Sequence, residues 1–195
     1  MKIQVRLPRC ARRFTGDIKG VSAVEFALVL PMMLTLYVGG AEVSQAIDVS
    51  RKATLVSRTV ADLAAQYATL SDANMTMILD ASSAVVSPYS SSTLKVTVSQ
   101  VKIDANGNTS VEWSDTRGGT SRCGQTVALP AALKVNNTAV IWGEVEYGHT
   151  PMIGYVLTGG EISLQDQMYM RPRLSTSVTR TSSSSTPSAS VCGGA

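Results

Sequence analysis

Residues 21–41 read VSAVEFALVLPMMLTLYVGGA, and Glu25 is the only charged side chain in these 21 residues. As an α-helix the run would extend about 31 Å, enough to cross a hydrocarbon core of about 30 Å. A secretory signal peptide is the alternative, because it also carries an apolar segment near the N-terminus. This run is longer than the apolar region of such peptides and has a carboxylate near its start. We therefore predict a retained transmembrane helix at 21–41.

Positive charge is concentrated before the apolar run. Residues 1–20 hold six of the 17 Lys+Arg and one of the 14 Asp+Glu, which leaves 11 basic and 13 acidic side chains for 21–195. Basic flanks stay on the cytoplasmic side of a span. We therefore predict a single-pass protein of the bacterial inner membrane, with a cytoplasmic leader at 1–20 and a periplasmic C-terminal domain. Because the rest of the chain is net acidic, no nucleic-acid partner is predicted.

The helical pattern continues beyond the apolar run. Apolar residues recur at steps of three and four between 46 and 67 without a Gly or Pro break, which predicts one helix from 21 to about 68. Residues 42–70 would then be its periplasmic continuation. Its apolar stripe packs either on its own domain alone or also on copies of itself. The stripe comprises Ala46, Val49, Ala53, Val56, Val60, Leu63 and Tyr67.

A small extracytoplasmic domain is predicted at 71–174. Ser71 or Asp72 caps a second helix at 72–83. Alternating apolar and polar residues predict strands at 94–103, 109–113, 139–147 and 161–170, with an Asn106-Gly107 turn closing the first pair and a loop at 115–126. The fold class is α+β: a long N-terminal helix, transmembrane in its first half, followed by a small antiparallel-sheet domain. The Ser/Thr-rich residues 175–195 predict a disordered, flexible tail.

Three cysteines divide between the leader and the domain: Cys10, Cys123 and Cys192. If only the leader stays in the cytoplasm, Cys123 and Cys192 share an oxidising compartment and are candidates for a disulfide that clips the tail to the domain. Two unrelated thiols are the alternative, because sequence alone fixes no pairing geometry.

One local arrangement stands out at the membrane boundary. Gly20 lacks a side chain, so a protease can approach the backbone before Val21. Cleavage there would leave the new amine one helical turn from Glu25, which precedes the aromatic Phe26. A carboxylate near hydrocarbon costs about 2.5–3.5 kcal/mol on insertion scales and persists when it has a partner, so Glu25 is a candidate for fixing the register of packed helices. Snorkelling of Glu25 to the headgroups is the alternative. Pro31 removes one helical hydrogen bond and predicts a kink.

These residues resemble the class III signal of type IV pilins, and more closely the TadE/TadG-like proteins of tight-adherence (Tad/Flp) pilus systems. The resemblance rests on GVSAVEFALVLPMML at 20–34. A weaker likeness lies at VEY (145–147), TP (150–151), ISL (162–164) and MRPR (170–173). It covers the chain well to about residue 60 and the predicted strands loosely.

The resemblance implies a minor pilin or pseudopilin that supports surface adhesion, whose leader a prepilin peptidase removes between Gly20 and Val21. Its partners would be the peptidase, the lipid bilayer, other Tad pilus subunits and an assembly platform with its secretion ATPase and secretin. Major Flp pilins are very short, so the sizeable domain of this chain favours a minor component. A permanently anchored single-span protein whose outer domain binds a partner or ligand is the alternative.

An enzyme is not predicted, and neither is a cofactor, a metal or a small-molecule substrate. His149 is the only histidine, so a catalytic triad or a histidine metal site would rest on it alone. The sequence contains no P-loop, GxGxxG, CxxC or HExxH. Residues 104–108 (DANGN) faintly resemble a calcium loop but fit a hairpin turn better. A membrane-tethered hydrolase stays open as a third class, since one sequence cannot reveal a cleft.

Overall fold

The computed structural model describes residues 20–151, 160–181 and 189–192. The chain divides into two compact units, Met1–Val43 and Ser44–Ala195. Apart from Gly20, the predicted leader lies outside the described residues.

The first helix, α1, comprises Val21–Ala65 and continues through Pro31. The Thr35 hydroxyl donates to the backbone carbonyls of Pro31 at 2.8 Å and Met32 at 2.9 Å, one turn beyond the proline. The N–H that Pro31 lacks would bond to the Ala27 carbonyl, so the Thr35 bonds lie on the C-terminal side of the proline and do not replace it. The long helix that was predicted is therefore confirmed at its start and through the proline.

The C-terminal end of α1 lies a few residues before the predicted one. The Arg173 amide donates to the Ala65 carbonyl at 2.9 Å and the Thr179 amide to the Ala68 carbonyl at 3.0 Å. Residues Thr69–Ser71 form strand β1. The prediction of helix to about 68, with a helical segment to 70, is therefore wrong at its end, because partners more than 100 residues away take these backbone groups.

The second helix, α2, comprises Asp72–Val86, three residues longer than predicted. Its N-cap is Ser71, whose hydroxyl accepts a hydrogen bond from the Asn74 amide at 3.3 Å. The cap satisfies one of the amides that a helix leaves free in its first turn. Burial of Val86 accounts for the additional turn, because it extends the apolar face of the helix.

Five antiparallel strands form the main sheet: β2 (Leu94–Ile103), β3 (Thr109–Arg117), β4 (Thr138–His149), β5 (Ile162–Met170) and β7 (Ala189–Val191). Their order across the sheet is β5-β4-β2-β3-β7. Gln100 pairs with Trp113 and Val101 with Val111, so Glu112 is an extra residue that forms a bulge in β3. The strand β3 runs four residues beyond its predicted end, so the loop predicted at 115–126 begins only after Arg117. A 3-10 turn, η1 (Ala131–Leu133), precedes β4.

Two apolar cores lie on opposite faces of this sheet, as the alternation of side chains along β4 requires. The first core packs α1 from Val49 onward and α2 against Ile141, Val145 and Tyr147. The second core contains the β4 residues Val140 and Trp142. The other buried members of the second core are Val101, Ile103, Val111, Val127 and Leu129.

The described part of the Ser/Thr-rich C-terminal segment belongs to the domain. Strand β6 (Thr179–Thr181) pairs in parallel with β1, and β7 pairs with β3. Val178 is fully buried and Arg180 is 8% exposed. The prediction of a disordered tail from 175 is therefore wrong for 175–181 and 189–192, because composition does not reveal a partner strand. Residues 182–188 and 193–195 lie outside the described residues.

Candidate membrane and assembly surface

The first half of α1 presents apolar side chains to the surroundings. Among residues 20–43, only Val38 and Glu42 are even half-buried, and the rest are exposed. The segment is long and apolar enough to cross a membrane, a property that a signal sequence shares. An apolar surface of this size requires lipid or protein against it. Its exposed large side chains are Val21, Val24, Phe26, Leu28, Val29, Leu30, Met32, Met33, Leu34, Leu36, Tyr37 and Val43.

Glu25 lies within this apolar surface, one turn from Val21 on the same face of α1. Both residues are exposed, and the adjacent Phe26 ring is 62% exposed. Within residues 20–151, 160–181 and 189–192, no side chain hydrogen-bonds to the Glu25 carboxylate. A carboxylate in apolar surroundings requires a counter-charge or donors. The arrangement therefore presents a charge that a partner or the headgroup region has to satisfy.

Gly20 lies just before α1, with its backbone exposed. A Cβ added at Gly20 would meet nothing within 4 Å. Glycine is normally required where the backbone turns left-handed or another group approaches closely, and the backbone angle of Gly20 lies outside the left-handed region. Packing within the described chain thus does not explain a glycine here.

A disulfide joins Cys123 and Cys192, with a Cα–Cα distance of 5.2 Å and a sequence separation of 69. Cys123 lies in the segment after β3 and Cys192 directly follows β7. The bond therefore ties the C-terminal strand to the segment that covers the second core. Cys10 lies outside the described residues.

A polar cleft of about 500 Å³ opens between the segment at 118–122 and strands β2, β4 and β5. Four of its five charged lining residues form two pairs, and the fifth, Asp166, accepts a hydrogen bond from the Ser57 hydroxyl at 3.4 Å. Lys95 Nζ lies 3.0 Å from Glu146 Oε1, and the Arg122 guanidinium makes two hydrogen bonds to Glu144, at 2.8 and 2.9 Å. The hydrogen bonds that Arg122 donates to Glu144 raise the pKa of Arg122. These pairs hold the walls of the cleft together.

His149 lies at the end of β4 and is 8% exposed, and its Nε2 has no hydrogen-bond partner among the described residues. The described residues contain no cluster of three or more His, Cys, Asp or Glu side chains able to hold a metal ion.

Asp104 closes the hairpin turn, since its carboxylate accepts from the Asn106 and Asn108 amides, each at 2.8 Å. The hydrogen bonds from Asn108, first from its side chain and then from its backbone, lower the pKa of Asp104.

Arg180 is a buried cation whose role was not predicted from the sequence. Its guanidinium bonds to Asp115 at 3.0 Å and to Asp72 at 2.6 Å, and the Arg180 and Asp115 side chains are each 2% exposed. Desolvation raises the pKa of Asp115, whereas the hydrogen bonds and charge of Arg180 oppose the shift. The alternation of Val178 and Arg180 in a polar segment was the only signal in the sequence.

The MRPR segment that carried the weaker resemblance lies at the end of α1. The Arg173 amide donates to the Ala65 carbonyl at 2.9 Å, and its guanidinium pairs with Asp62. A backbone amide that binds one of the last carbonyls of a helix compensates a group that has no partner within the helix. Arg173 thus acts as a structural cap, and Arg171 is not involved in it.

The fold and this surface define a class: chains with one apolar, membrane-length helix that continues into an α+β domain. Residues 20–62 match the family model described as TadE-like protein, which confirms the predicted resemblance over these residues. The match begins at Gly20 and covers the exposed apolar half of α1 and most of its packed half. No curated protein and no solved structure matches the chain.

Proposed function

We propose that this chain is a minor pilin or pseudopilin of a Tad-type pilus. Residues 21–41 hold it in the inner membrane, with the leader cytoplasmic and the α+β domain periplasmic. A prepilin peptidase cleaves between Gly20 and Val21, and the mature chain joins other Tad subunits at the assembly platform to support surface adhesion. Its role is structural, without catalysis.

The carrying observation is the continuous exposed apolar surface of residues 21–43, with Glu25 as its only carboxylate before Glu42. Lipid can cover the apolar side chains but cannot neutralise Glu25 cheaply. The amine of a cleaved neighbouring chain, at Val21, supplies a counter-charge of the right sign. A surface of this kind serves first as an anchor and then as a packing face between helices.

Gly20 supports the processing step, because no packing in the described chain requires a glycine there. A protease active site requires close access to the backbone, which a glycine gives. The polar cleft supports a structural role, since the Lys95–Glu146 and Arg122–Glu144 pairs engage four of its five charged lining residues. A permanently anchored, partner-binding protein is the second candidate, because a signal-anchor helix has the same exposed apolar surface.

The test of the assembly role is a set of Glu25 variants in cells that make the pilus. Glu25→Ala and Glu25→Gln remove the charge, and Glu25→Asp keeps it. We expect leader removal in all three, but Glu25→Ala and Glu25→Gln should be lost from the sheared pilus fraction and Glu25→Asp partly retained. The matched control is Glu161→Ala, an exposed carboxylate outside the apolar surface. Normal amounts of Glu25→Gln in the pilus fraction would contradict the role of the charge.

A further inference from the structure

The second core is covered by a segment with few anchors. Residues 118–137 contain one short 3-10 turn, η1, and contribute two buried apolar side chains, Val127 and Leu129. Besides the disulfide, its longer-range contacts come mainly from single residues. The hydroxyl of Thr109 donates to the Val127 carbonyl at 2.6 Å and the Asn136 side-chain amide donates to the Ala105 carbonyl at 2.7 Å. Arg122 pairs with Glu144, lies over the Trp142 ring and donates its amide to the Ser114 hydroxyl at 3.0 Å. Ordering a segment of this length costs conformational entropy that two buried side chains do not offset.

The strand at the other end of the disulfide is also weakly held. Among the described residues, β7 is a three-residue edge strand that pairs with β3 alone, through Trp113, Ser114 and Asp115. The Cys192 amide adds one hydrogen bond, to the Glu112 carbonyl at 3.1 Å. So short an edge strand is not stable by its own pairing.

The first core differs, because the second half of α1 and the helix α2 cover it. Val49, Val56 and Val60 of α1 and Ile78 and Leu79 of α2 are buried there, and in the part of the chain that the structure describes no disulfide joins its members. The two faces of the sheet are thus closed by different means. Regular secondary structure closes one face, and a covalent bond between two weak segments closes the other.

We propose that the Cys123–Cys192 disulfide is a redox-dependent closing device for the second core. In the dithiol chain the first core forms and the sheet persists, while residues 118–130 and β7 detach and expose Val101, Val140 and Trp142. Oxidation closes that face: the two thiols lose two protons and two electrons to a disulfide-bearing protein oxidant, whose own disulfide becomes two thiols. The domain therefore reaches its final surface only after it meets such an oxidant.

Hydrogen–deuterium exchange on the full-length chain in detergent tests this directly. Oxidised protein is compared with protein reduced by a phosphine, and with Cys123→Ser, which cannot form the bond. On reduction we expect amides in 118–130 and 189–192 to exchange at least about tenfold faster, whereas those in 49–65 and 75–86 change less than about twofold. Cys10→Ser is the matched control and should behave as the unaltered chain in both states.

Two outcomes would overturn the proposal. Unchanged exchange at 118–130 on reduction would mean that Arg122, Val127 and Leu129 hold the segment without the disulfide. Equal acceleration throughout both cores would mean that the domain opens as one cooperative unit. The measurement needs neither a pilus nor a peptidase, so its result is independent of the proposed function.

Discussion

Gly143 in β4 packs directly against the backbone of Ser57 in α1: a Cβ on Gly143 would lie 2.8 Å from the Ser57 carbonyl oxygen. It would also lie 3.1 Å from the Ala61 Cβ and 3.3 Å from Val60 Cγ2. The oxygen belongs to a helix backbone, which cannot swing aside as a long side chain can. The glycine therefore sets how closely α1 approaches the sheet in the first core.

We expect Gly143→Ala to lower the free energy of unfolding by about 1–3 kcal/mol, the usual cost of overpacking a core. Urea unfolding of the detergent-solubilised chain measures this through the fluorescence of Trp113 and Trp142, both buried. Ser163→Ala, at an exposed site on β5, is the control and should change stability by less than about 0.5 kcal/mol. An unaltered midpoint for Gly143→Ala would show that the helix can shift.

Removal of the buried Arg180 charge should be among the most damaging single changes. Arg180→Ala leaves Asp115 buried at 2% exposure without its counter-charge, which we expect to cost about 3–5 kcal/mol in unfolding free energy. Arg173→Ala breaks the exposed pair with Asp62 and should cost at most about 1 kcal/mol. Urea unfolding measures both variants. Equal losses of unfolding free energy would contradict the claim that a buried ion pair is more costly to break than an exposed one.

The hairpin turn should depend on pH through Asp104. Hydrogen bonds from Asn108 lower the pKa of Asp104 in the folded chain, so the carboxylate stabilises the turn above the pKa of the unfolded chain. That stabilisation is lost as the pH falls through the folded-state pKa. We expect an NMR titration of the Asp104 carboxyl carbon to show a midpoint below that of an unfolded Asp, and Asn108→Ala to raise it. A midpoint that Asn108→Ala leaves unchanged would argue against these hydrogen bonds as the cause.

A bulky substitution at Gly20 should block cleavage of the leader without disturbing the fold. Because a Cβ there meets nothing within 4 Å, Gly20→Trp should leave the fold intact while it blocks access of the peptidase. We expect unprocessed chain to accumulate in the membrane, as seen by intact mass. Gly40→Leu, at a second site where a Cβ meets nothing within 4 Å, should be processed normally. Complete processing of Gly20→Trp would contradict the claim that the peptidase requires Gly20 for cleavage.

Local pattern predicted the elements whose pairing is local. β2 has the predicted bounds of 94 and 103, because its alternation and the Asn106-Gly107 turn both act within the hairpin. The start of α1 and its exposed half were predicted from the long apolar run at 21–41. The candidate site at Gly20, Val21, Glu25 and Phe26 rests on the same run, together with the family resemblance.

Long-range pairing decided what the sequence could not show. Asp115 indicated a loop, yet it is buried in β3 because Arg180 bonds to it from 65 residues away. The end of α1 depends on Arg173 and Thr179, and the Ser/Thr-rich C-terminal segment enters the domain through β6. In each case the partner lies more than 60 residues away, beyond the reach of a periodic pattern or a composition count.

The N-terminal residue of the mature chain tests the central claim most directly. Cells that assemble the pilus are fractionated, and N-terminal peptides of this chain are identified by mass spectrometry in the membrane and the sheared pilus fractions. If residues 21–41 are a temporary anchor that becomes an assembly helix, the chain in the pilus fraction begins at Val21. A chain that begins at Met1 and stays in the membrane while pili form would contradict that account and favour a permanent anchor.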